Sequence, residues 1–382
     1  MDWIRQTWIC SVLEAELSRN VTSVSVKYVA YEVITVTSVL GAAVIGAGIL
    51  GSRHARVYTE LDGTRLLAVV DINPDRAKAV AEKHGVPWFT DYEEMLAALG
   101  SELHVVSVAT PDFAHFGPTR ACLEAGVDVL VEKPLTTDVA EARKLVALAR
   151  ERQRVLHVNY SLRWLPEHRR VQELLQSGEL GKPTFIESHR WDAAWVPQRM
   201  ISWAPQTSPI YFMSSHDIDL ITYWLNDRVE SVSAMAHYGV LSPTLGGQKV
   251  VDGLVALLRM KGGTVVNLHS SWILPETFGA AADTYMELLG SKGAIWLYGN
   301  RRELKLYTPD RAESVVYGGP VVATEVQGRL TGSFVESLRS FLAACRARDL
   351  EAPASAARTV HVVEVQQAIC EAAESGGIVR LS

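Results

Sequence analysis

The chain has 382 residues, of which 48% are hydrophobic and 21% are charged. At about 150 residues per domain, this length predicts two or slightly more domains, each large enough to bury its own core. The balance of 37 Lys and Arg against 43 Asp and Glu argues against a basic nucleic-acid-binding surface. The four cysteines are widely separated and form no Cys-x-x-Cys pair, so they favour a reducing cytoplasm over a disulfide framework or a zinc site.

The first 38 residues differ from the rest of the chain. Residues 21–40 are rich in Val, Ser and Thr, but Lys27 and Glu32 interrupt them. A membrane-spanning helix needs about 20 predominantly apolar residues, and the start is too weakly charged for a signal peptide, so we expect neither. Two interpretations stay open for this N-terminal extension: a loosely ordered upstream segment, or a β-rich arm that joins a sheet edge or a partner subunit.

From Val39 onward the sequence predicts a nucleotide-binding domain. Residues 40–45 form a short apolar run, typical of a strand buried on both faces, and a G-x-G-x-x-G motif separates this run from a predicted helix. A second predicted strand, 65–70, is followed by Asp71, which lies twenty residues after the third glycine, where a ribose-binding acid is expected. The predicted cofactor-binding residues of this region are Gly46, Gly48, Ile49, Leu50, Gly51 and Asp71.

Each polar or glycine position in this set has a physical reason. Gly46 permits a tight turn, Gly48 lets the backbone approach a pyrophosphate, and Gly51 lets the helix pack close to the strand. The first amides of the helix then face the phosphates. The Asp71 carboxylate accepts hydrogen bonds from ribose hydroxyls and repels a 2′-phosphate, which favours NAD over NADP. Arg76 is the nearby cation that would oppose this preference.

Predicted strands and helices alternate as far as residue 158. This alternation predicts a doubly wound parallel sheet, an α/β fold. Such sheets bind ligands at the carboxyl ends of their strands. We therefore expect one crevice to be lined by the residues that follow the predicted strands, namely Thr110, Pro111, Glu132, Lys133 and Asn159.

A set of motifs occurs in a fixed order along the chain: the glycine-rich loop, Asp71, Thr110-Pro111 with His115, Glu132-Lys133-Pro134, Arg163-Trp164, His216-Asp217-Ile218-Asp219 and the last helix before Gly376-Gly377. This set resembles the glucose-fructose oxidoreductase / inositol dehydrogenase / MocA (Gfo/Idh/MocA) family. The resemblance covers about residues 39–382 and implies an NAD-binding Rossmann domain (39–158). It also implies that an α+β substrate domain (159–382) follows, with a large open, mostly antiparallel sheet that often mediates homodimers or homotetramers.

The resemblance implies an NAD-dependent oxidoreductase that transfers hydride between nicotinamide and a hydroxyl or carbonyl group. The substrate would be a sugar, an inositol-like polyol or a related small molecule, and no metal-ligand spacing appears in the sequence. The resemblance also places a second set of residues at the cofactor, comprising Thr110, Pro111, His115, Glu132, Lys133 and Arg163.

Two residues are expected to act on the reacting oxygen. Lys133, at the end of a predicted strand, can hydrogen-bond that oxygen and stabilise a developing alkoxide. His216, at the start of a predicted helix, can accept the hydroxyl proton when it is neutral. Asp219 lies one helical turn later, where it can orient the His216 ring.

The chain departs from the family pattern just before His216. Family members commonly carry three glycines and then an Asp four residues before the His, and the substrate contacts of that Asp do not transfer here. We expect Trp191 and Asp192 at the substrate, because tryptophans interleaved with charged side chains suit a ring-shaped polyol. The family's glycines and Asp are replaced by Gln206, Thr207, Ser208 and Phe212, and residues that can substitute for the Asp are Asp192, Asp217, Ser214 and Ser215.

Two alternatives to a sugar or polyol dehydrogenase stay open. The first is a non-catalytic NAD-sensing regulator on the same fold, against which the retained Lys133 and His216 argue. The second is a reductase of a non-sugar carbonyl, diol or tetrapyrrole-like compound, which Phe212 keeps open. The expected partners are a small-molecule substrate and further copies of the chain, without nucleic acid or membrane.

Overall fold

Two large sheets organise the part of the chain that the structure describes. The structure is a computed structural model, and it describes residues 39–317 and 322–381. The interpretations of the N-terminal extension, residues 1–38, therefore lie outside the described residues. Within the described ranges, no helix is both long enough and apolar enough to cross a membrane.

The first sheet consists of six parallel strands. These strands are β1 (Leu40–Ile45), β2 (Thr64–Val70), β3 (Trp88–Phe89), β4 (Val105–Val108), β5 (Asp128–Val131) and β6 (Leu156–Val158). Their order is β3-β2-β1-β4-β5-β6, so the direction of winding reverses between β1 and β4. The predicted doubly wound parallel sheet is confirmed, and its ligand crevice is expected at that reversal.

Helices connect the strands of this first sheet. They are α1 (Ile49–Glu60), α2 (Pro74–His84), α3 (Tyr92–Leu99), α4 (Phe116–Glu124) and α5 (Val139–Glu151). Local signals define α2: the Asn73 side chain accepts a hydrogen bond from the Arg76 amide at its start, and Gly85 ends it in a left-handed conformation. Asp138 caps α5 in the same way through the Glu141 amide.

The second sheet has nine strands, and only the pairing of its two central strands is parallel. The strands are β7 (Pro183–Ala193), β8 (Val229–Tyr238), β9 (Val251–Met260), β10 (Val265–Leu274), β11 (Ala282–Gly290), β12 (Ala294–Tyr298), β13 (Glu303–Tyr307), β14 (Ala312–Val316) and β17 (Ile378–Arg380). Their order is β14-β13-β12-β11-β7-β10-β9-β8-β17. The predicted large, mostly antiparallel sheet of the α+β part is thus confirmed.

The remaining elements surround the second sheet and return to the first. They are α6 (Pro166–Gln176), α7 (Pro209–Phe212), α8 (Ser215–Leu225), a hairpin of β15 (Thr324–Val326) and β16 (Arg329–Thr331), α9 (Ser333–Ala347) and α10 (Ala356–Ser375). One face of the second sheet is covered, and its side chains, such as Ala256 and Leu268, are buried. On the opposite face, large apolar side chains such as Met235, Leu257 and Phe185 are more than half exposed.

Helix α9 crosses back to the first sheet. Its apolar side chains, including Phe334, Leu338 and Phe341, are buried in one cluster with Val44 of β1 and Leu130 of β5. The residues after 158 therefore complete the core of the nucleotide-binding sheet, which a division of the chain at residue 158 does not anticipate.

Candidate active site

The glycine-rich loop joins β1 to α1 at the point where the winding of the first sheet reverses. Gly46 has a φ of 98°, a value that favours glycine. A Cβ on Gly51 would lie 1.6 Å from the Gly46 carbonyl oxygen, whereas a Cβ on Gly48 would meet no atom within 4 Å. Helix α1 begins at Gly48 without a side-chain cap. Open amides beside free space are what a pyrophosphate needs, so this loop fits the phosphate part of a dinucleotide.

The different surroundings of Gly48 and Gly51 predict different effects of alanine. Gly51→Ala should lower the free energy of unfolding by about 1–3 kcal/mol, because the turn itself must move. Gly48→Ala should leave that free energy unchanged but weaken NAD⁺ binding by at least about tenfold, because the methyl group fills the space for the phosphates. Urea unfolding and titration calorimetry measure the two quantities. Equal effects of the two substitutions on both would contradict these roles.

Asp71 lies at the end of β2, next to this loop. Its side chain is buried and accepts hydrogen bonds from the backbone amides of Ala47 and Asn73, both at 2.8 Å. A carboxylate offers about four acceptor positions, so capacity for ribose hydroxyls remains. The next side chain, Ile72, is 90% exposed. Asp71 therefore both shapes the glycine-rich loop and fits the ribose-binding role.

His115 lies behind the opposite wall of the crevice. Its side chain is buried, with Nδ1 2.7 Å from the carbonyl oxygen of Pro134 and Nε2 3.0 Å from that of Thr110. Because burial lowers the pKa of His115, the neutral ring donates to one of these two carbonyl oxygens while it packs between the loops that follow β4 and β5. This contact makes His115 a residue that holds the Thr110-Pro111 segment and the Lys133-Pro134 segment together.

Glu132 directs its carboxylate into a buried polar network. One oxygen, Oε1, is 2.8 Å from His54 Nε2 and accepts a hydrogen bond of 2.7 Å from the Asn159 amide. On its other side, His54 Nδ1 is 3.0 Å from the Ser107 hydroxyl. Burial alone would raise the pKa of Glu132, but these hydrogen bonds hold its pKa below the ordinary value. No motif marks His54 in the sequence, because it lies on the buried face of α1, where a core residue is expected.

Lys133 reaches from the end of β5 across the crevice. Its ammonium group donates a hydrogen bond to the carbonyl oxygen of Phe212 and lies 4.6 Å from the centre of the Phe212 ring. The Lys133-Pro134 peptide bond is cis. Burial lowers the pKa of Lys133, while the nearby carboxylates of Glu132, Asp112 and Asp192 act in the opposite direction. Lys133 therefore faces the second domain from the nucleotide-binding domain.

His216 and Asp192 face Lys133 from the second domain. His216 lies in the first turn of α8, and burial together with the charges of Lys133 and Arg190 lowers its pKa well below the ordinary value. Asp192 lies near the end of β7, and burial raises its pKa to about 6 against the effect of Arg190 and Lys133. Among the described residues, neither the Asp192 carboxylate nor Nδ1 of His216 has a hydrogen-bond partner. The arrangement thus combines a cation, a neutral imidazole and an uncommitted carboxylate.

Asp219 does not orient the His216 ring, which corrects one expectation. Its carboxylate is paired with Arg163, whose Nε donates to Oδ2 at 2.7 Å and whose Nη2 donates to Oδ1. Nη1 of Arg163 donates to the carbonyl oxygen of Pro353 at 2.6 Å. Both charged side chains are buried. These contacts use the Arg163 guanidinium to hold α8, and they give no support to the prediction that it binds the cofactor.

Trp191 and Asp192 point to opposite faces of the second sheet. Successive side chains of a strand alternate between the two faces. Asp192 shares the covered face with Arg190, whereas Trp191 stacks on His189 at 4.6 Å and contacts the edge of His269 at 5.1 Å on the open face. The expectation that both residues lie at one substrate is therefore not met by Trp191 in the described structure.

The side chains that could replace the family's Asp differ in whether they already have a hydrogen-bond partner within the protein. Arg190 binds the Asp217 carboxylate through two hydrogen bonds of 2.9 and 2.8 Å. The Ser214 hydroxyl is hydrogen-bonded to that of Ser270. The Phe212 ring packs beside Trp272, with 6.3 Å between their centres, in a small apolar cluster. Asp192 is therefore the carboxylate of this group that stays free for a substrate.

Comparisons with known proteins agree with this arrangement. Residues 40–160 match the model of an oxidoreductase family with an NAD-binding Rossmann fold, and residues 168–296 match the GFO/IDH/MocA C-terminal domain. UDP-N-acetylglucosamine 3-dehydrogenase of Acidithiobacillus ferrooxidans is 32% identical over 61% of this chain and 67% of its own length. Its solved structure superposes with a TM-score of 0.72 and 25% identity over 88% of this chain and 98% of that one. Inositol 2-dehydrogenase of Rubrobacter xylanophilus is 27% identical over 67% of this chain and 70% of its own length.

Proposed function

The chain belongs to the GFO/IDH/MocA family of NAD-binding oxidoreductases, and on that basis we propose that it oxidises a secondary hydroxyl of a sugar or inositol-like polyol. One observation carries the proposal. Lys133 extends from the end of β5 to the carbonyl oxygen of Phe212, and it lies within electrostatic range of Asp192 on β7 and of His216 on α8. Two relatives with this architecture are named for dehydrogenation of a nucleotide sugar and of inositol.

The residues present fit a bound dinucleotide, because the uncapped start of α1, the free space at Gly48 and the Asp71 carboxylate form a continuous edge. When bound, NAD⁺ supplies the acceptor for a hydride. The side chains of the protein then remove the proton from the substrate hydroxyl and stabilise the negative charge that develops on its oxygen. Neutral His216 accepts the hydroxyl proton, and the Lys133 ammonium stabilises the developing alkoxide. Asp192 accepts a hydrogen bond from a neighbouring hydroxyl and so orients the ring.

A substrate panel tests this function against its two alternatives. Purified protein is incubated with NAD⁺ and a set of inositols, aldoses and nucleotide sugars, and separately with NADH and non-sugar carbonyl compounds, while NADH absorbance is followed. We expect turnover with at least one cyclic polyol or sugar. Tight NAD⁺ binding without turnover of any compound would instead favour the NAD-sensing regulator. Activity confined to the carbonyl compounds would favour the non-sugar reductase.

Coenzyme choice is expected to depend on Asp71. Asp71→Ala should weaken NAD⁺ binding by about tenfold to a hundredfold, because hydrogen bonds to a charged acceptor are lost from the ribose. NADP⁺ binding should change much less, so the preference for NAD⁺ relaxes. Dissociation constants for both coenzymes measure this effect, with Asp75→Ala in the exposed first turn of α2 as the control. An unchanged ratio of the two constants would show that Asp71 is not the ribose ligand.

The state of assembly and the compartment are also proposals. The open face of the second sheet exposes Phe185, Met235 and Leu257, which supports a homodimer or homotetramer built on this face. Light scattering on the purified protein tests it, and a monomeric mass at micromolar concentration would contradict it.

Cys122, Cys345 and Cys370 are free thiols, which supports a reducing compartment such as the cytoplasm. Membership of a family whose named relatives act on a nucleotide sugar and on inositol supports a small-molecule substrate rather than a nucleic acid.

A further inference from the structure

A partly buried side-chain hydrogen bond joins the nucleotide-binding part of the chain to the second domain, close to Lys133. The hydroxyl of Thr207 donates to Oδ2 of Asp112 at 2.5 Å. Asp112 lies in the short 3₁₀ turn that follows β4, and Thr207 lies in the loop that precedes α7. The other carboxylate oxygen, Oδ1, accepts a hydrogen bond of 3.0 Å from the Phe113 amide. Asp112 is almost fully buried, and each of its carboxylate oxygens accepts one of these two hydrogen bonds.

The segment that begins at Thr207 leads directly to the catalytic groups. Helix α7 starts two residues later and ends at Phe212, whose carbonyl oxygen accepts the hydrogen bond from Lys133. His216 follows in the first turn of α8. A third contact holds the middle of this segment, because the Gln366 side chain donates to the carbonyl oxygen of Ile210 at 2.9 Å. Three hydrogen bonds therefore hold the segment from Thr207 to His216: one at Thr207, one at Ile210 and one between Phe212 and Lys133.

We propose that the Asp112–Thr207 hydrogen bond positions residues 207–216 against the nucleotide-binding domain and thereby sets the distance between Lys133 and His216. Thr207 is a positioning residue, because its hydroxyl is committed to Asp112 and not to the reacting oxygen. This proposal rests on the function proposed above.

Electrostatics give this contact a second effect. The Asp112 carboxylate acts on Lys133 in the same direction as Glu132 and Asp192, favouring the charged ammonium, while burial and Arg190 act against it. Without the Thr207 hydroxyl, one oxygen of a buried carboxylate loses its donor. The loop must then admit water or move, and either response shifts the segment that carries Phe212 and His216.

Two substitutions at position 207 separate the hydroxyl from the shape of the side chain. Thr207→Val keeps the shape and removes the donor, whereas Thr207→Ser keeps the donor. In Thr207→Val, we expect kcat to fall by about tenfold with KM for NAD⁺ within about twofold of wild type. In the cofactor-free protein, amide hydrogen exchange of α7 should become about tenfold faster, while β2 exchanges as in wild type. Thr207→Ser should stay within about twofold of wild type in all of these quantities.

The outcomes decide the proposal in either direction. Equal kcat and equal α7 exchange in the valine and serine variants would overturn it, as would a valine variant in which β2 loosens as much as α7. The exchange experiment needs no substrate. If wild-type protein turned over no compound of the panel, the proposed function would fail, while the comparison of α7 exchange would still decide whether Asp112 and Thr207 hold this segment.

Discussion

Replacing Lys133 with alanine is expected to lower kcat by about a hundredfold to a thousandfold, the usual effect of removing one donor to a developing oxyanion. NAD⁺ binding should persist, because the glycine-rich loop and Asp71 lie at the other end of the nucleotide crevice. Single-turnover and steady-state rates, together with a calorimetric dissociation constant for NAD⁺, measure the two parts of this prediction. The loss should appear in kcat and in kcat/KM alike, as for an interaction made only in the transition state.

The control for this substitution is an exposed lysine on the nucleotide-binding domain. Lys144→Ala, on α5, removes the same charge far from the crevice and should leave kcat unchanged. Lys133→Arg retains a cation but changes the shape of the donor, so its rate should fall between those of wild type and Lys133→Ala. Full turnover by Lys133→Ala would remove Lys133 from the catalytic set and show that another group stabilises the developing alkoxide.

Replacing Asp219 with alanine should lower the free energy of unfolding more than any other substitution proposed for this protein. The Arg163 guanidinium then stays buried without its carboxylate partner, and breaking such a pair costs about 3–5 kcal/mol of the free energy of unfolding. Urea unfolding measures this loss. NAD⁺ affinity, measured without urea under conditions in which the variant is folded, should change little. The ion pair holds α8 and does not line the nucleotide crevice.

An exposed ion pair provides the matched control for Asp219→Ala. Arg120 and Glu124 lie one turn apart on α4, and their side chains are about half exposed. Glu124→Ala should therefore cost no more than about 0.5 kcal/mol. A small stability loss in Asp219→Ala accompanied by a large loss of NAD⁺ affinity would contradict the structural role and return Arg163 to the cofactor-binding residues.

Local signals explain why the nucleotide-binding domain was predictable. The glycine-rich loop, its spacing to Asp71 and the apolar strands depend on residues close in the chain, and each strand buried on both faces gives an unbroken apolar run. The position of Lys133 followed from the same logic, because a strand end in a parallel sheet lies at a known edge.

The rest of the site depends on contacts between residues distant in sequence. Strand β7 escaped prediction because its side chains alternate between a covered face and an open face rich in aromatic and charged groups, which resembles a polar loop. The partner of Asp219 depends on the tertiary fold. Spacing on the helix favours His216, but the residue that binds this carboxylate is Arg163, 56 positions earlier in the chain. Asp112 and Thr207 are 95 positions apart, and nothing local to either residue marks their contact.

The return of α9 to the first sheet bears on the order in which the protein can mature during synthesis. The strands of the nucleotide-binding sheet are complete once residue 158 has been made, but the apolar surface that receives Phe334, Leu338 and Phe341 stays uncovered until α9 has left the ribosome. The neighbouring segment adds to this dependence, because the Val158 amide pairs with the carbonyl oxygen of Ala354. The nucleotide-binding sheet of the described chain is therefore synthesised well before the residues that complete its core, and a fragment that stops before α9 would expose part of that core.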